Sequence, residues 1–262
     1  MTLASRWRNK IRRRFYSPYN KLVHRGRYFI CSYFGAEFLV RSANVGGLEI
    51  SAKIAEHGEL KNFIRSAAAI KPDIFIDVGA NLGLYICILM KNRLVPRAIL
   101  FEPDRRNRVH LGANLLINGL LDANLEIHPV ALGAEPGRFR LIPGPERDIG
   151  LSQIVETAPE GQGYDVEVVR FDDFVTLTGR TLAIKIDVER YERKVLAGMA
   201  RTLRDNRGIV QKRARRRRAL CLRPDFSWRR ISSPISFSGK IKRLKPPVAP
   251  IRRQWPRPFP RC

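Results

Sequence analysis

The sequence predicts an α/β fold, a central and mostly parallel sheet with helices on both faces. Three short runs carry this expectation: the mostly apolar Ile74 to Val78, the apolar Ala98 to Phe101, and Leu182 to Val188, a strand that carries charges toward its end. Each has the length and character of a buried parallel strand. The first is cut off by Gly79-Ala80-Asn81 and followed by an apolar segment from Leu82 to Met90 that starts a helix. Strands alternating with helical stretches are the pattern of doubly wound sheets.

Ahead of these strands, Tyr28 to Val40 reads as strand, glycine turn, strand. Leu48 to Ile70 reads as a helical stretch, interrupted at His57-Gly58-Glu59-Leu60. Beyond them, Arg105 to Gly119 is helical, with Asn114 and Asn118 on one face at i and i+4. Those asparagines either cap the next turn or approach a ligand. Leu125 to Leu132 forms a strand with His128 near its middle, expected to be a structural histidine. Gly137 to Thr178 breaks the alternation: Arg138 to Ile142 and Val166 to Val169 look like strands joined by a loop rich in Gly, Pro and Glu. A loop of that length in a compact domain is expected to serve a substrate, here as a lid that includes Ser152 and Gln153.

The first glycine loop places backbone N–H groups and a positive helix end against a small ligand. Gly79 and Gly83 are expected to leave room for it. The loop is G-x-x-x-G rather than the G-x-G-x-x-G of a dinucleotide site, and a carboxylate, Asp77, sits at the strand end. That carboxylate disfavours a pyrophosphate and suits a ligand with ammonium and sulfonium charges. Glu102, about 20 residues beyond the loop, stands where an acid holds ribose hydroxyls. Asp77, Gly79, Asn81, Gly83 and Glu102 together point to S-adenosylmethionine (SAM). Glu59 is a further candidate for the methionine end, and Ala131, at the end of the third strand, for the adenine pocket.

The strand Leu182 to Val188 carries Lys185 and Asp187, with Glu189 just beyond it, and alternation puts i, i+2 and i+4 on one face. Three charges there would be costly in a dry core and make sense at the carboxyl end of the sheet. A structural ion pair between Lys185 and Asp187 is the plainer alternative. In the functional reading Asp187 is the general base for an acceptor hydroxyl, Glu189 the second carboxylate, and Lys185 the group that orients Asp187 or stabilises an alkoxide. A divalent ion on these carboxylates is possible chemistry, but two make a thin ligand set, so a metal is not indicated.

The chain resembles the FkbM-type methyltransferases in I-D-V-G-A-N-L-G-L-Y (76 to 85), F-E-P-D (101 to 104), N-L-L-I-N-G-L (114 to 120), V-A-L-G (130 to 133), F-D-D-F (171 to 174) and K-I-D-V-E-R-Y-E (185 to 192). The resemblance covers roughly 34 to 210. It implies a Rossmann-like class I methyltransferase fold and SAM-dependent methyl transfer to a hydroxyl of a sugar, lipid-linked glycan or secondary metabolite. Asp172 in F-D-D-F is expected to cap a short helix. The family usually has glycine where Arg190 stands; if that glycine takes positive φ, arginine strains the loop.

Net charge is +25, which suggests a nucleic-acid binder until its distribution is read. Residues 1–41, a basic arm and strand pair, hold ten Lys/Arg and one acid; residues 42–210, the expected catalytic domain, hold 22 of each sign. Residues 211–262 hold seventeen Lys/Arg, one acid and eight prolines. A polynucleotide groove needs positive charge on the core itself, so a small or glycan-like acceptor is the expected partner. The arm, with Trp7, Phe15, Tyr16 and Tyr19, reads either as a leader helix packed on the domain or as a segment resting on an anionic membrane surface.

From Gln211 the closing strands of the fold are expected to be missing. The Arg/Pro-rich tail reads as a disordered polyanion binder or as sequence translated in a shifted frame, which would leave a degenerate, inactive family member. Cys31, Cys87, Cys221 and Cys262 form no C-x-x-C pair and read as free thiols of a reducing, cytoplasmic compartment. No run of about 18 apolar residues occurs.

Overall fold

A computed structural model describes residues 26–212, apart from 54, 56, 157–160 and 189–190, together with 220–221 and 229–230. The chain opens with a hairpin, β1 (Tyr28–Tyr33) and β2 (Ala36–Arg41), turned by Phe34 and Gly35 in left-handed conformations. Helix α1 (Val45–Ser51) is capped by Asn44, whose side chain accepts from the Gly47 N–H. Lys53 at φ 57 separates it from α2 (His57–Ile70). The helical interruption therefore falls before His57, and His57 to Leu60 is the first turn of the second helix.

The main sheet contains β3 (Ile74–Val78), β4 (Ala98–Phe101), β5 (Leu125–His128), β10 (Thr181–Ile186) and β11 (Arg207–Lys212), all parallel. Helices α3 (Leu84–Lys91) and α4 (Arg105–Ile117) cross over between the first three. Alternation splits β3 between two cores. Phe75 joins the helices and hairpin on one face, while Ile74, Ile76 and Val78 meet Phe171, Val195 and Met199 on the other. The latter three belong to or precede the short helices α5 (Phe171–Phe174), α6 (Glu192–Gly198) and α7 (Ala200–Asp205).

Two-residue strands β12 (Leu220–Cys221) and β13 (Arg229–Arg230) continue the sheet antiparallel, in the order β13-β12-β11-β10-β3-β4-β5. The closing strands expected to be missing are thus present, though minimal. The rest of 211–262, from 213 on, lies outside the described residues, as does most of the basic arm.

A second sheet, β6 (Ala131–Leu132), β7 (Gly137–Ile142), β8 (Gln153–Val155) and β9 (Tyr164–Val169), occupies the stretch where the alternation broke. The connection between β7 and β8 carries a 3₁₀ turn over Ile149–Leu151.

His128 takes the structural place expected of it, and Asn114, Asn118 and Asp172 do so with partners other than those expected. Asn114 accepts from the Leu39 N–H at 2.8 Å and donates to the Leu82 carbonyl at 2.7 Å. Asn118 accepts from the Glu37 N–H at 2.9 Å and donates to the carbonyls of Glu37 and Asn114, both at 2.7 Å. The pair therefore laces β2 to α4, Asn118 also closing the helix end. Asp172 does not cap its own helix; it accepts from the N–H groups of Arg201 and Thr202 at 2.6 and 2.9 Å and so caps α7 from outside. Its expected cap position is taken by Arg170, which makes no side-chain cap. His128 stacks on Phe101 at 5.2 Å, a structural placement.

Cys87 is buried in the core, and burial pushes its thiol up to about 12; Cys31 is raised to about 12 for the same main reason. Neither is poised as a nucleophile. Among the described residues no helix is long and apolar enough to cross a membrane.

Candidate active site

The parallel strands end at a common edge, where a cavity of about 190 Å³ opens. Its floor is the loop after β3, through Gly79 and Asn81, and the loop after β4, through Glu102 and Pro103. One wall is the start of α1, with Val45, Gly46 and Glu49; the other is the β7–β8 connection, with Asp148, Gly150, Leu151 and Ser152. Asp187, Val188 and Tyr191 close it from the end of β10. A second cavity, about 410 Å³, lies at the opposite edge, lined by Asp73, Arg97 and Arg180. Though larger, it sits at the amino ends of the strands, whereas doubly wound sheets present ligand chemistry at the carboxyl ends.

Glu102 organises the floor. Its Oε2 accepts from the Asn81 N–H at 2.8 Å, and its Oε1 accepts from the Asp104 N–H at 2.9 Å and the Asn107 amide at 3.4 Å. Burial holds its carboxyl above the usual range, and these three donors only partly offset that. Two bonded oxygens still leave lone pairs for a hydroxyl-bearing ligand. Beside it, Oδ1 of Asn81 and Oδ1 of Asn107 are buried acceptors without a partner.

Asp104 fastens the lid to this floor. Wholly buried at the start of α4, it accepts from the Arg106 N–H at 2.9 Å and the Ser152 hydroxyl at 2.7 Å, and pairs with the Arg106 guanidinium at 2.9 Å. Arg106 also reaches the Gly144 carbonyl at 3.1 Å, and Ser152 Oγ accepts from the Gly144 N–H at 3.0 Å. The hydrogen bonds from Arg106 and Ser152 outweigh burial and hold the Asp104 carboxyl below its usual range.

Lys185 is 6 % exposed. Its Nζ lies 3.5 Å from Asp187 Oδ2, 3.7 Å from Asp77 Oδ1 and 4.8 Å from the centre of the Tyr85 ring. The cause is register: Lys185 on β10 stands directly beside Asp77 on β3, and both face the core under α3. Asp187 alone of the three reaches the cavity wall.

Of the residues expected at the site, Gly79, Asn81, Glu102 and Asp187 line the cavity. Asp77 and Lys185 do not: their strand positions turn them toward each other. Gly83 sits behind the floor at φ 87, where an added Cβ would meet Leu111 Cδ1 at 2.6 Å. Gly79, at φ 82, makes room for protein as well, since a Cβ there would meet the Asp187 carbonyl oxygen at 2.3 Å. The space these glycines leave is thus filled by the chain's own packing rather than by a ligand. Glu59 stands in the first turn of α2 and Ala131 is buried in β6; neither lines the cavity. Glu189, and with it Arg190, lies outside the described residues. Gln153 is exposed, away from the lining that Ser152 joins.

Sequence reasoning missed Asn107, Asp148 and Tyr191. Asn107 had a usable signal: with Leu111 and Asn114 it shares the buried face of α4, and a buried asparagine demands partners. Asp148 sits in a loop without periodicity and gave none.

The fold and site define an α/β protein with an acidic ligand cavity at the carboxyl edge of its sheet. The Methyltransferase FkbM domain profile matches residues 77–218, and the chain belongs to that family. No curated protein matches the sequence. Among solved structures, it is similar to methyltransferase FkbM from Methylobacillus flagellatus KT, with 16% identity, 63% of this chain and 43% of that chain covered, and a TM-score of 0.39. It is also similar to a SAM-dependent methyltransferase from Agrobacterium tumefaciens, with 14% identity, 40% and 33% covered, and a TM-score of 0.32. The chain thus spans less than half the length of either.

Proposed function

We propose that this chain is a SAM-dependent O-methyltransferase acting on a hydroxyl of a small or glycan-like acceptor. One observation carries the reading. Four carboxylates, Glu49, Glu102, Asp148 and Asp187, line the cavity, and no Lys or Arg is among its described lining residues, in a chain of net charge +25. Such a cavity repels phosphates and favours a cationic ligand. The unpartnered Asn81 and Asn107 oxygens beside Glu102 call for hydrogen-bond donors, which ribose hydroxyls supply.

When bound, SAM supplies a methyl group on a positively charged sulfur. Glu102 would hold the ribose end, and Gly79 and Asn81 would present backbone to the same ligand. Asp187, at the cavity wall, would accept the proton of the acceptor hydroxyl, whose oxygen would then bond the methyl carbon as the methyl–sulfur bond breaks and the neutral thioether leaves. Lys185 fixes the Asp187 carboxylate from below without touching the substrate, and the lid closed by Ser152 and Asp104 excludes water. Among the described residues no three His, Cys, Asp or Glu side chains converge on a metal position.

The test is calorimetric titration with SAM followed by transfer of labelled methyl to hydroxylated saccharides. Asp187→Asn should keep SAM binding and lose transfer. A protein that binds phosphorylated nucleotides in preference to SAM would sink the proposal.

A second reading, a family member without activity, follows from the shifted-frame interpretation of the tail. It is favoured by where the family match stops, at residue 218, inside the basic run that begins at Lys212. Reading the coding DNA around codons 208 to 215 in the other frames tests it: a frame that continues into further apolar strands supports it.

A further inference from the structure

Asp77, Lys185 and Gln211 stand in one row across neighbouring strands. Lys185 on β10 pairs in register with Asp77 on β3 and with Gln211 on β11, so all three side chains leave the same face of the sheet. Asp187, two residues beyond Lys185, follows on that face at the cavity wall. Over the row lies Tyr85, buried in the first turn of α3. Its hydroxyl accepts from the Gln211 side-chain amide at 2.7 Å, and its ring meets Phe63 edge-on at 5.4 Å. The ring is therefore held from two sides. Its centre lies 4.8 Å from Lys185 Nζ, within the reach of a cation–π contact.

The Asp187 N–H donates to the Val78 carbonyl at 2.9 Å, which fixes the main chain there but not the rotation of the carboxylate. Lys185 bears on that rotation from 3.5 Å, while Asp77 draws the same ammonium from 3.7 Å. Asp77 is wholly buried, whereas the Asp187 side chain keeps 16% exposure, so water screens the pull of Asp77 less. Two carboxylates define a path along which the ammonium can slide. The Tyr85 ring, a third contact, fixes its place on that path.

We infer that Gln211 and Tyr85 are positioning residues for methyl transfer: they hold the Lys185 ammonium where it aims the Asp187 carboxylate at the acceptor. Neither lines the cavity, so both act through Lys185. The inference rests on the reading of Asp187 as the base for the acceptor hydroxyl.

The test compares the full chain with its Tyr85→Phe, Gln211→Leu and doubly substituted variants. Tyr85→Phe keeps the ring and drops the hydroxyl; Gln211→Leu drops the donor at similar size. In each, kcat for transfer to a hydroxylated saccharide should fall about tenfold, while SAM affinity by calorimetry stays unchanged. Each single variant strands one partner of a half-buried hydrogen bond and should melt earlier; the double variant removes both partners and should regain the parental midpoint. Its kcat should stay low, which a purely structural role would not produce. The Lys185 side-chain resonance in a spectrum of ¹³C-labelled lysine, assigned by its loss in Lys185→Arg and shifted by the ring current above it, should move in all three variants. A parent that fails to bind SAM or to transfer methyl overturns the reading of the cavity and this inference together. A parent that transfers methyl, with a double variant whose kcat returns along with its melting midpoint, overturns this inference alone. So does an unmoved Lys185 resonance.

Discussion

The backbone N–H of Asn81 donates to Oε2 of Glu102 at 2.8 Å, tying the loop after β3 to the end of β4. One carboxylate therefore serves two ends: it sets the floor of the cavity and offers its remaining lone pairs to a ligand.

This duality has a pH signature. Burial raises the Glu102 carboxyl, so the folded state holds its proton more tightly than the unfolded chain. Its contribution to stability is full below the ordinary glutamate value of about 4.3 and is lost as pH rises through the raised value. Affinity for SAM should move oppositely, rising as the carboxylate ionises. Denaturation midpoints and SAM titrations of the parent and Glu102→Gln across this range should show the two trends crossing.

Glu102→Gln is also expected to lose SAM binding at neutral pH. Its amide nitrogen must face the N–H of Asn81 or Asp104, leaving a buried donor unsatisfied at about 1–3 kcal/mol. Urea denaturation measures this cost; an unchanged midpoint would mean that the loop rearranges freely.

Removing the lid fastening should act mainly through the helix start and the β7–β8 connection. Asp104→Ala deletes the α4 cap, the Arg106 pair and the Ser152 bond, an expected loss of about 2 kcal/mol. Ser152→Ala removes a single bond and should cost about 1 kcal/mol. Because Asp104 is held below its usual range, its stabilisation is present above the ordinary aspartate value and lost as pH falls through the lowered one. Amide exchange in residues 144–152 should quicken in both variants.

Gly79→Ala forces a methyl group against the Asp187 carbonyl oxygen at positive φ. A loss of about 1–3 kcal/mol is expected from the backbone conformation alone. Transfer activity should fall further than SAM affinity, because Asp187 moves with its backbone. Gly83→Ala clashes with Leu111 instead and should cost stability alone, as thermal melts and kinetics of the two variants will show.

Lys185→Met takes from the buried Asp77 and the partly exposed Asp187 the cation between them. Breaking a buried pair of this kind costs about 3–5 kcal/mol. Lys185→Arg should recover more stability than activity, since its broader head displaces Asp187. A methionine variant as stable as the parent would show that the cluster contributes nothing to the fold.

The parallel sheet was legible because each buried parallel strand must be a short apolar run, and Ile74 to Val78 can bury nowhere else. Gly79, Asn81, Glu102 and Asp187 were legible for the related reason that strand ends in such sheets converge on one edge. Register decided the rest. Lys185 and Asp77 carry the chemistry expected of site residues, yet neighbouring strands set them side by side beneath Tyr85, and no local pattern encodes which strands are neighbours. Ser152 was expected in a lid, but Asn107 and Asp148 reach the cavity only because α4 and the β7–β8 connection fold over it. The contacts that fasten the β7–β8 connection to α4 span 38 residues of chain between Arg106 and Gly144 and 48 between Asp104 and Ser152. The sequence alone thus determined which segments are strands and where their ends carry charge. Tertiary structure decided which charges meet each other and which meet a ligand, because strand pairing and lid closure are long-range packing choices.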